Sequence, residues 1–479
     1  MSISLNDIPQ EILLEILTFV DAQSLIHSCP LVCRLWKNTI DGSTELRLLI
    51  ELWADGMVGG DSRSSTAMER LEALYQRRRA WLSLDWADRA TFVVESSSRA
   101  YELVDAIFAQ QTVGRDSESF STIWLPSARD PEGKTVSMGE IDLDPRDFVL
   151  DPTQDFVAFV SENPQDVAHV QCRTLSTLSP HPLAAASLLS FPARHLTVGY
   201  LLLDLADDII SMFFDQHILL LNWRDGVVIK DINCSGPSRV HFSLLTPRAY
   251  LLGYGGANGK IEVWSFESVD GAEPIHKATL QLPELDSNYL AMQMHSGPFR
   301  AKPSTKRPFS KTNESRVCVV SVDYGDLIVH HRYLHKYLSS NSDAAVIVPW
   351  DDWGPRHSRL LPPMLHRWFR YVHGERVVLP PDPENPNILQ ILDFSTSATT
   401  SRPLASSERT PTDPRFTTEL YSGPSTLFDT ALVEKSATTS LPYRKISRYT
   451  DEEHALFLID EEQIIGVNDL ESQMTVYTF

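Results

Sequence analysis

Between Ile8 and Val20 the chain reads IPQEILLEILTFV, with Ile12, Ile16 and Val20 recurring every fourth residue and Leu13 and Leu17 repeating beside them. That is the period of a helix with one apolar face. Pro9 suits a first turn, where its missing N–H costs nothing, and Asp7 with Gln10 has the form of a capping pair. Pro30 punctuates the chain before LVCRLWKNTI, in which Leu31, Val32, Leu35 and Trp36 make a second stripe. Two further helices are predicted from TELRLLIELWADGM, ended near Gly56, and from TAMERLEALYQRRRAWLSLDW, with GGDSRSST as a flexible connector between them.

From about residue 85 the helical period gives way to short β-branched runs broken by Gly, Pro, Asn and Asp, among them DFVAFVSE, HILLLNWRDGVVIKDI and RVCVVSVDYGDLIVHHRYL. Asp225-Gly226 and Asn258-Gly259 are hairpin turns between such runs. Trp223 and Trp264 each end a strand that is followed by a turn and another strand, a weak repeat of roughly forty residues. The expected fold class is therefore α+β and multidomain: a helical N-terminal part, then an all-β domain, a β-propeller-like array of five to seven blades. Radial packing leaves such an array few open edges; a pair of β-sandwiches is the alternative. The segments 300–316 and 395–418 read as mobile loops inserted between strands, the first basic, the second rich in Ser, Thr and Pro.

Composition narrows the functional classes. Hydrophobic residues make up 42% of the 479, enough for a sizeable core, and the net charge is −21. A body this acidic repels phosphates, so neither nucleic acid nor an anionic membrane is expected as a main partner. Five cysteines without a paired CxxC pattern fit a reduced compartment, cytoplasmic or nuclear. Asp7, Glu11 and Glu15 interrupt any signal-peptide pattern, and Asp204, Asp207 and Asp208 interrupt the longest apolar stretch, so no membrane span is expected.

Several local features invite a chemical reading. Trp223 and Trp264 could form ligand platforms, but their repeat positions point to blade cores. GYGGANGK has the glycines of a phosphate loop without its spacing, since Tyr254 stands where the first Gly belongs and Ile261 follows Lys260; a hairpin accounts for it. His330, His331 and His335, with Tyr333 and Tyr337, lie on what reads as a strand running into a loop, and no neighbouring carboxylate completes a ligand set. WDDWG at 350–354 reads as an ordered loop. The basic loop at 300–316 reads as a solvated insertion, with nuclear import or an acidic partner as the alternative, and Thr410-Pro411 is a weak phosphorylation candidate. No nucleophile elbow, HExxH, dinucleotide fingerprint or kinase signature is found, so no catalytic residue, cofactor or metal site is expected.

The opening stretch read with VCRLW resembles the F-box, a short three-helix motif. Ile8-Pro9, Glu11-Ile12, Ile16-Leu17, Leu25, Val32-Cys33 and Trp36 match its pattern, with Ile in place of the commoner Leu before Pro9. More loosely, DGMVGG, the ERLEAL-to-LDW helix and the DPTQDFVAFV strand resemble fungal F-box proteins with a β-rich C-terminal half. The resemblance implies an F-box over 1–45, a helical linker over 46–85 and a propeller-like, substrate-binding β domain over 86–479. It further implies a Skp-type adaptor as partner, a cullin through it, and a protein substrate to be ubiquitylated. The adaptor-binding positions it implies are Ile8, Pro9, Glu11, Ile12, Ile16, Leu17, Leu25, Val32, Cys33 and Trp36. About forty residues bury too little surface to be very stable alone. Some of these side chains must therefore pack the motif's own core, and the sequence does not divide them. A scaffold role outside any ligase, or an enzyme with its site in the β domain, are the alternatives.

Overall fold

The computed structural model describes residues 8–60, 65–94, 98–113, 118–127, 132–140, 145–163, 167–192, 201–214, 216–234, 240–256, 259–267, 273–283, 292–304, 307–322, 325–339, 344–366, 369–395, 415–427, 437–468 and 472–479. The helical part comprises α1 (Gln10–Thr18), α2 (Ala22–His27), α3 (Arg34–Gly42), α4 (Thr44–Ala54) and α5 (Ala67–Ser83). Each start except those of α1 and α3 carries a side-chain cap. Asp21 accepts from Ser24 N at 2.8 Å, Ser43 from Leu46 N at 3.3 Å, and Thr66 and Glu69 form a reciprocal capping box. Asp7 lies outside the described residues, and Pro9 stands at the N-cap of α1, one residue before the first turn predicted for it. LVCRLWKNTI is not one helix: Cys29–Leu31 forms a 3-10 turn, and Cys33 is the extended cap from which α3 starts.

The described strands form seven blades around one axis, antiparallel throughout except that Val346–Val348 adds in parallel to the outer edge of blade 4. Blades 1 to 4 each run through four consecutive strands, beginning at Ser98–Val104, Asp147–Asp151, Leu201–Ala206 and Val240–Thr246. Blades 5 and 6 begin at Met292–Ser296 and Val372–His373. Blade 7 joins Leu456–Ile459, Gln463–Val467 and Gln473–Thr478 to the earlier strand Asp88–Val93, in register from Asp88 opposite Thr478 to Val93 opposite Gln473. The ring is thus closed by pairing the beginning of the β domain with its end, which removes two open edges. The turn at Asp225-Gly226 forms as predicted, with Gly226 at φ +70°; Asn258 lies outside the described residues.

The core lies between blades. Trp223 is fully buried, stacks on Phe156 of blade 2 at 4.1 Å and donates from Nε1 to the Asp207 carbonyl at 3.0 Å. Trp264 sits at the edge of a blade core: half-buried, it packs against the cluster that holds Tyr250 and Phe266, lies over His276 at 4.6 Å and donates to Glu262. WDDWG is helix, not loop. It opens α7 (Trp350–His357), following α6 (His331–His335), and buried Trp353 donates to the Gln281 carbonyl at 2.8 Å. Most of 395–418 lies outside the described residues, but Phe416–Tyr421 is a strand on the outer edge of blade 6.

The largest departure concerns 300–316. This insertion, between the first and second strands of blade 5, is not a solvated loop. Arg300, Arg307, Lys311 and Arg316 are all buried. Arg300 reaches Asp105 at 3.3 Å and Glu461 at 2.9 Å, while Arg307 lies 3.4 to 3.7 Å from Asp105, Asp460 and Glu462. Lys311 bonds Glu375 at 2.9 Å. Ala301 N donates to Asp151 at 2.8 Å. The acids come from the turns after the first strands of blades 1, 2, 6 and 7, so the insertion spreads across one face of the ring. Arg300, Arg307 and Lys311 neutralise those turns, since a buried charge without a partner is costly, whereas Arg316 donates to the Gly297 carbonyl and lies over the Phe299 ring at 3.8 Å. None of these acids is near in sequence, which is why the segment reads as solvated.

The same insertion holds the helices. Phe309–Lys311 pairs with Met57–Gly59, the short strand after α4, and Lys311 Nζ donates to the Asp55 carbonyl at 2.6 Å. On α5, Arg77 donates to both the Glu461 carboxylate and the Glu461 carbonyl at 2.7 Å. Trp81 at the end of α5 is fully buried, stacks on Phe479 at 4.3 Å and lies under Arg376 at 4.0 Å.

Candidate functional site

The first three helices and the start of α4 enclose a small core of Leu13, Leu17, Leu25, Cys29, Ile40 and Leu46, with Ile8, Leu14, Leu35 and Trp36 packed at its edge. Leu17 and Leu25, two of the adaptor-binding positions the resemblance implies, are fully buried there and cannot meet a partner without unfolding. Trp36, Ile8 and Cys33 are half-buried, and Pro9 and Glu11 are exposed. The neighbouring stripe faces outward: Ile12 is 49% exposed, Ile16 46% and Val32 50%. Residues i and i+1 on a helix point about 100° apart, so Leu13 and Leu17 turn inward while Ile12 and Ile16 stay out. Two further residues of the same helical unit, not among the positions the resemblance implies, are also exposed. Phe19 at the end of α1 is 86% exposed and Leu31 in the 3-10 turn 83%. Phe19 lies seven residues after Ile12 and three after Ile16, so the helical period puts it on their face, although the i, i+4 series alone passes it by. Five large apolar side chains on one small helical unit exceed the scattered exposure normal for a surface, and such patches mark interaction sites.

A second candidate lies on the propeller axis. The first strands of blades 1 to 6 line a cavity of about 90 Å³ with Glu102, Asp147, Asp204, Ser243, His295 and Arg370 among its walls. Arg370 binds both Glu102 oxygens through Nε and Nη2. Burial opposes the charge on Arg370, but Glu102 outweighs it and raises the guanidinium above its usual value. Burial pushes Asp147 up to about 7 and Asp204 up to about 6, and pushes His295 down to about 3. Around neutral pH the channel therefore holds one tight ion pair, a neutral imidazole and carboxyls close to their midpoints.

The histidine group resolves differently. His331 is fully buried, with Nε2 2.9 Å from Ser296 Oγ, and burial together with nearby Arg316 keeps it neutral. Burial likewise lowers His330 to about 4. Among the described residues no group of three or more His, Cys, Asp or Glu is placed to hold a metal ion, and no helix is long and apolar enough to cross a membrane. All five thiols are free.

Comparison with known proteins bears on the first candidate. Residues 5–46 match the F-box-like family model. Human F-box only protein 6 is 44% identical over 50 residues, 10% of this chain and 15% of that protein, and human F-box only protein 44 is 42% identical over 50 residues, 10% and 17% respectively. The rat F-box only protein 6 is 45% identical over 42 residues, 9% of this chain and 15% of that protein. The chain thus spans only about a sixth of the length of these relatives. Solved structures similar to the β part include the WD40 domain of Toxoplasma gondii coronin (TM-score 0.35, 8% identity, 82% of this chain and 86% of that one). Chaetomium thermophilum Raptor is another (TM-score 0.37, 10% identity, 79% and 30%). The propeller assignment rests on the strand pairing and not on these likenesses.

Proposed function

We propose that this chain, an F-box-like domain at residues 5–46 followed by a seven-bladed β-propeller, is the substrate-receptor subunit of a Skp–cullin–F-box ubiquitin ligase. The observation that carries the reading is the exposure of Ile12, Ile16, Phe19, Leu31 and Val32, which lie within the F-box-like stretch and are left uncovered by the described residues. Burying one such side chain contributes about 1.5–3 kcal/mol. Five half- to nearly fully exposed anchors can therefore sustain tight association with an adaptor after the entropic cost of binding. Pro9, Glu11 and Cys33 border the face; Leu17 and Leu25 serve it from beneath by fixing α1 and α2.

In this reading the propeller captures a protein and the adaptor brings a cullin with its conjugating enzyme, so the chain raises the local concentration of target near the transfer site and performs no chemistry itself. Arg370 of the axial channel is engaged by Glu102 and the imidazoles are neutral by burial, an arrangement that favours binding over acid–base turnover. In this reading the chain works in the cytoplasm or nucleus. The test is titration of a purified Skp-type adaptor into the full-length chain by calorimetry. A one-to-one complex is expected; a folded protein that gives neither heat nor co-elution overturns the reading.

A further inference from the structure

The blade-5 insertion does more than close a face of the ring. One end of it is tied to the propeller through Arg300 and Arg307, and its short strand is tied to the helical arm through Met57–Gly59. Glu461, in the turn of blade 7, is shared by both parties. Its carboxylate takes Arg77 of α5 at 2.7 Å and Arg300 of the insertion at 2.9 Å, and it accepts from the Lys311 N–H at 3.1 Å. Glu461 is 1% exposed. Burial by itself would raise this carboxyl; the hydrogen bond from His373 and the charges of Arg300 and Arg77 outweigh it and hold the group well below the usual carboxylate range. A carboxylate so held stays ionised throughout the physiological range, and ion pairs this deeply buried are little screened by salt.

We infer that the blade-5 insertion and Glu461 form an ionic clamp that locks the helical arm onto the propeller, so that the apolar face of α1 and the axial channel stand in one fixed relation. Arg77 on the arm and Lys311 on the insertion are the positioning residues of this clamp. Neither touches a partner; each acts by setting the angle at which the F-box-like unit is carried. The face covered by the insertion is closed, and capture of another protein falls to the rest of the propeller surface. The clamp deepens the receptor reading, since a receptor that must present its target toward a distant transfer site gains from a stiff arm, but it is a statement about this chain alone.

Spin labels at exposed Gln23 on α2 and Asp231 on the outer strand of blade 3 report the relation directly, in full-length protein with Cys33 and Cys234 replaced by serine. Pulsed dipolar spectroscopy should give a single narrow distance distribution. The Arg77→Gln, Lys311→Met double variant should at least double its width while the thermal transition of the propeller is kept, a change that loss of general stability would not produce. A broad distribution in the parent protein overturns the inference. So does an unchanged narrow distribution in the double variant, which would assign the rigidity to the apolar contacts around Trp81. If the double variant does not fold, Arg77→Gln alone is read by the same criterion. No adaptor is present in the measurement, so its outcome is separate from that of the adaptor titration.

Discussion

Phe19 offers a sharp separation between binding and stability. Its ring is 86% exposed, so truncation to alanine removes little that the folded chain uses. Nearly all of the transfer free energy of the ring is still available to a partner, about 2 kcal/mol on the usual apolar scale. Ile16 is 46% exposed, leaving roughly half of its side chain, or about 1 kcal/mol. Phe19→Ala with Ile16→Ala should therefore weaken adaptor binding by about 3 kcal/mol, roughly a hundredfold in Kd. The buried half of Ile16 is worth about 1 kcal/mol to the fold, so the melting temperature should fall slightly, well short of the loss in a fully buried position. Leu17→Ala is the converse: a fully buried side chain is lost from a small core, at a cost of about 2–5 kcal/mol in stability. Calorimetric titration of the adaptor, paired with thermal melts of each free variant, reads both quantities. The reasoning is refuted if the double variant binds within threefold of the parent, or if it melts as early as Leu17→Ala.

Other expectations follow from the rest of the fold. Trp81→Ala should destabilise the protein by about 3–5 kcal/mol in a urea titration, because it empties the joint between α5, Phe479 and Arg376. Gly226→Ala should cost about 1–2 kcal/mol, since the residue sits at φ +70° and a Cβ there would stand 3.0 Å from the Ala185 Cβ. Asp147 is raised by burial to about 7, above the value near 4 expected in the unfolded chain. The folded state therefore binds the proton more tightly, and stability falls as pH rises from about 4 through 7. Asp147→Asn should flatten that part of the stability–pH curve, and melts at pH 5 and pH 8 would show it; an unaltered slope would assign the dependence elsewhere.

Much of this architecture is legible in the chain. The helical periods of α1, α4 and α5 and the strand-turn-strand texture after residue 85 follow from local patterning, and seven blades lie within the range that patterning allows. What the sequence hides is long-range pairing. The basic segment 300–316 shows no sign of its acids, because Asp105, Glu375, Asp460, Glu461 and Glu462 sit in turns scattered over three other blades. The closing strand Asp88–Val93 is likewise invisible until its partner at the other end of the domain is known. WDDWG reads as a loop because it ends in Gly354 with Pro355 directly after, yet buried Trp353 anchors a helix there. At the candidate site, periodicity finds both stripes of α1 but not which one turns inward. The division comes from α3 and α4, whose Ile40 and Leu46 meet Leu13 and Leu17. Phe19 continues the Ile12–Ile16 face at i+7, a step that the i, i+4 series alone does not reach.

The most direct test of the receptor assignment is affinity purification of the full-length chain from cells with the proteasome inhibited, set against a variant carrying Ile12→Asp, Ile16→Asp and Phe19→Asp. The account predicts that adaptor and cullin co-purify with the parent and not with the variant, and that at least one further protein is retained by both through the propeller. Absence of adaptor and cullin from the parent, or their equal recovery with the variant, would contradict it.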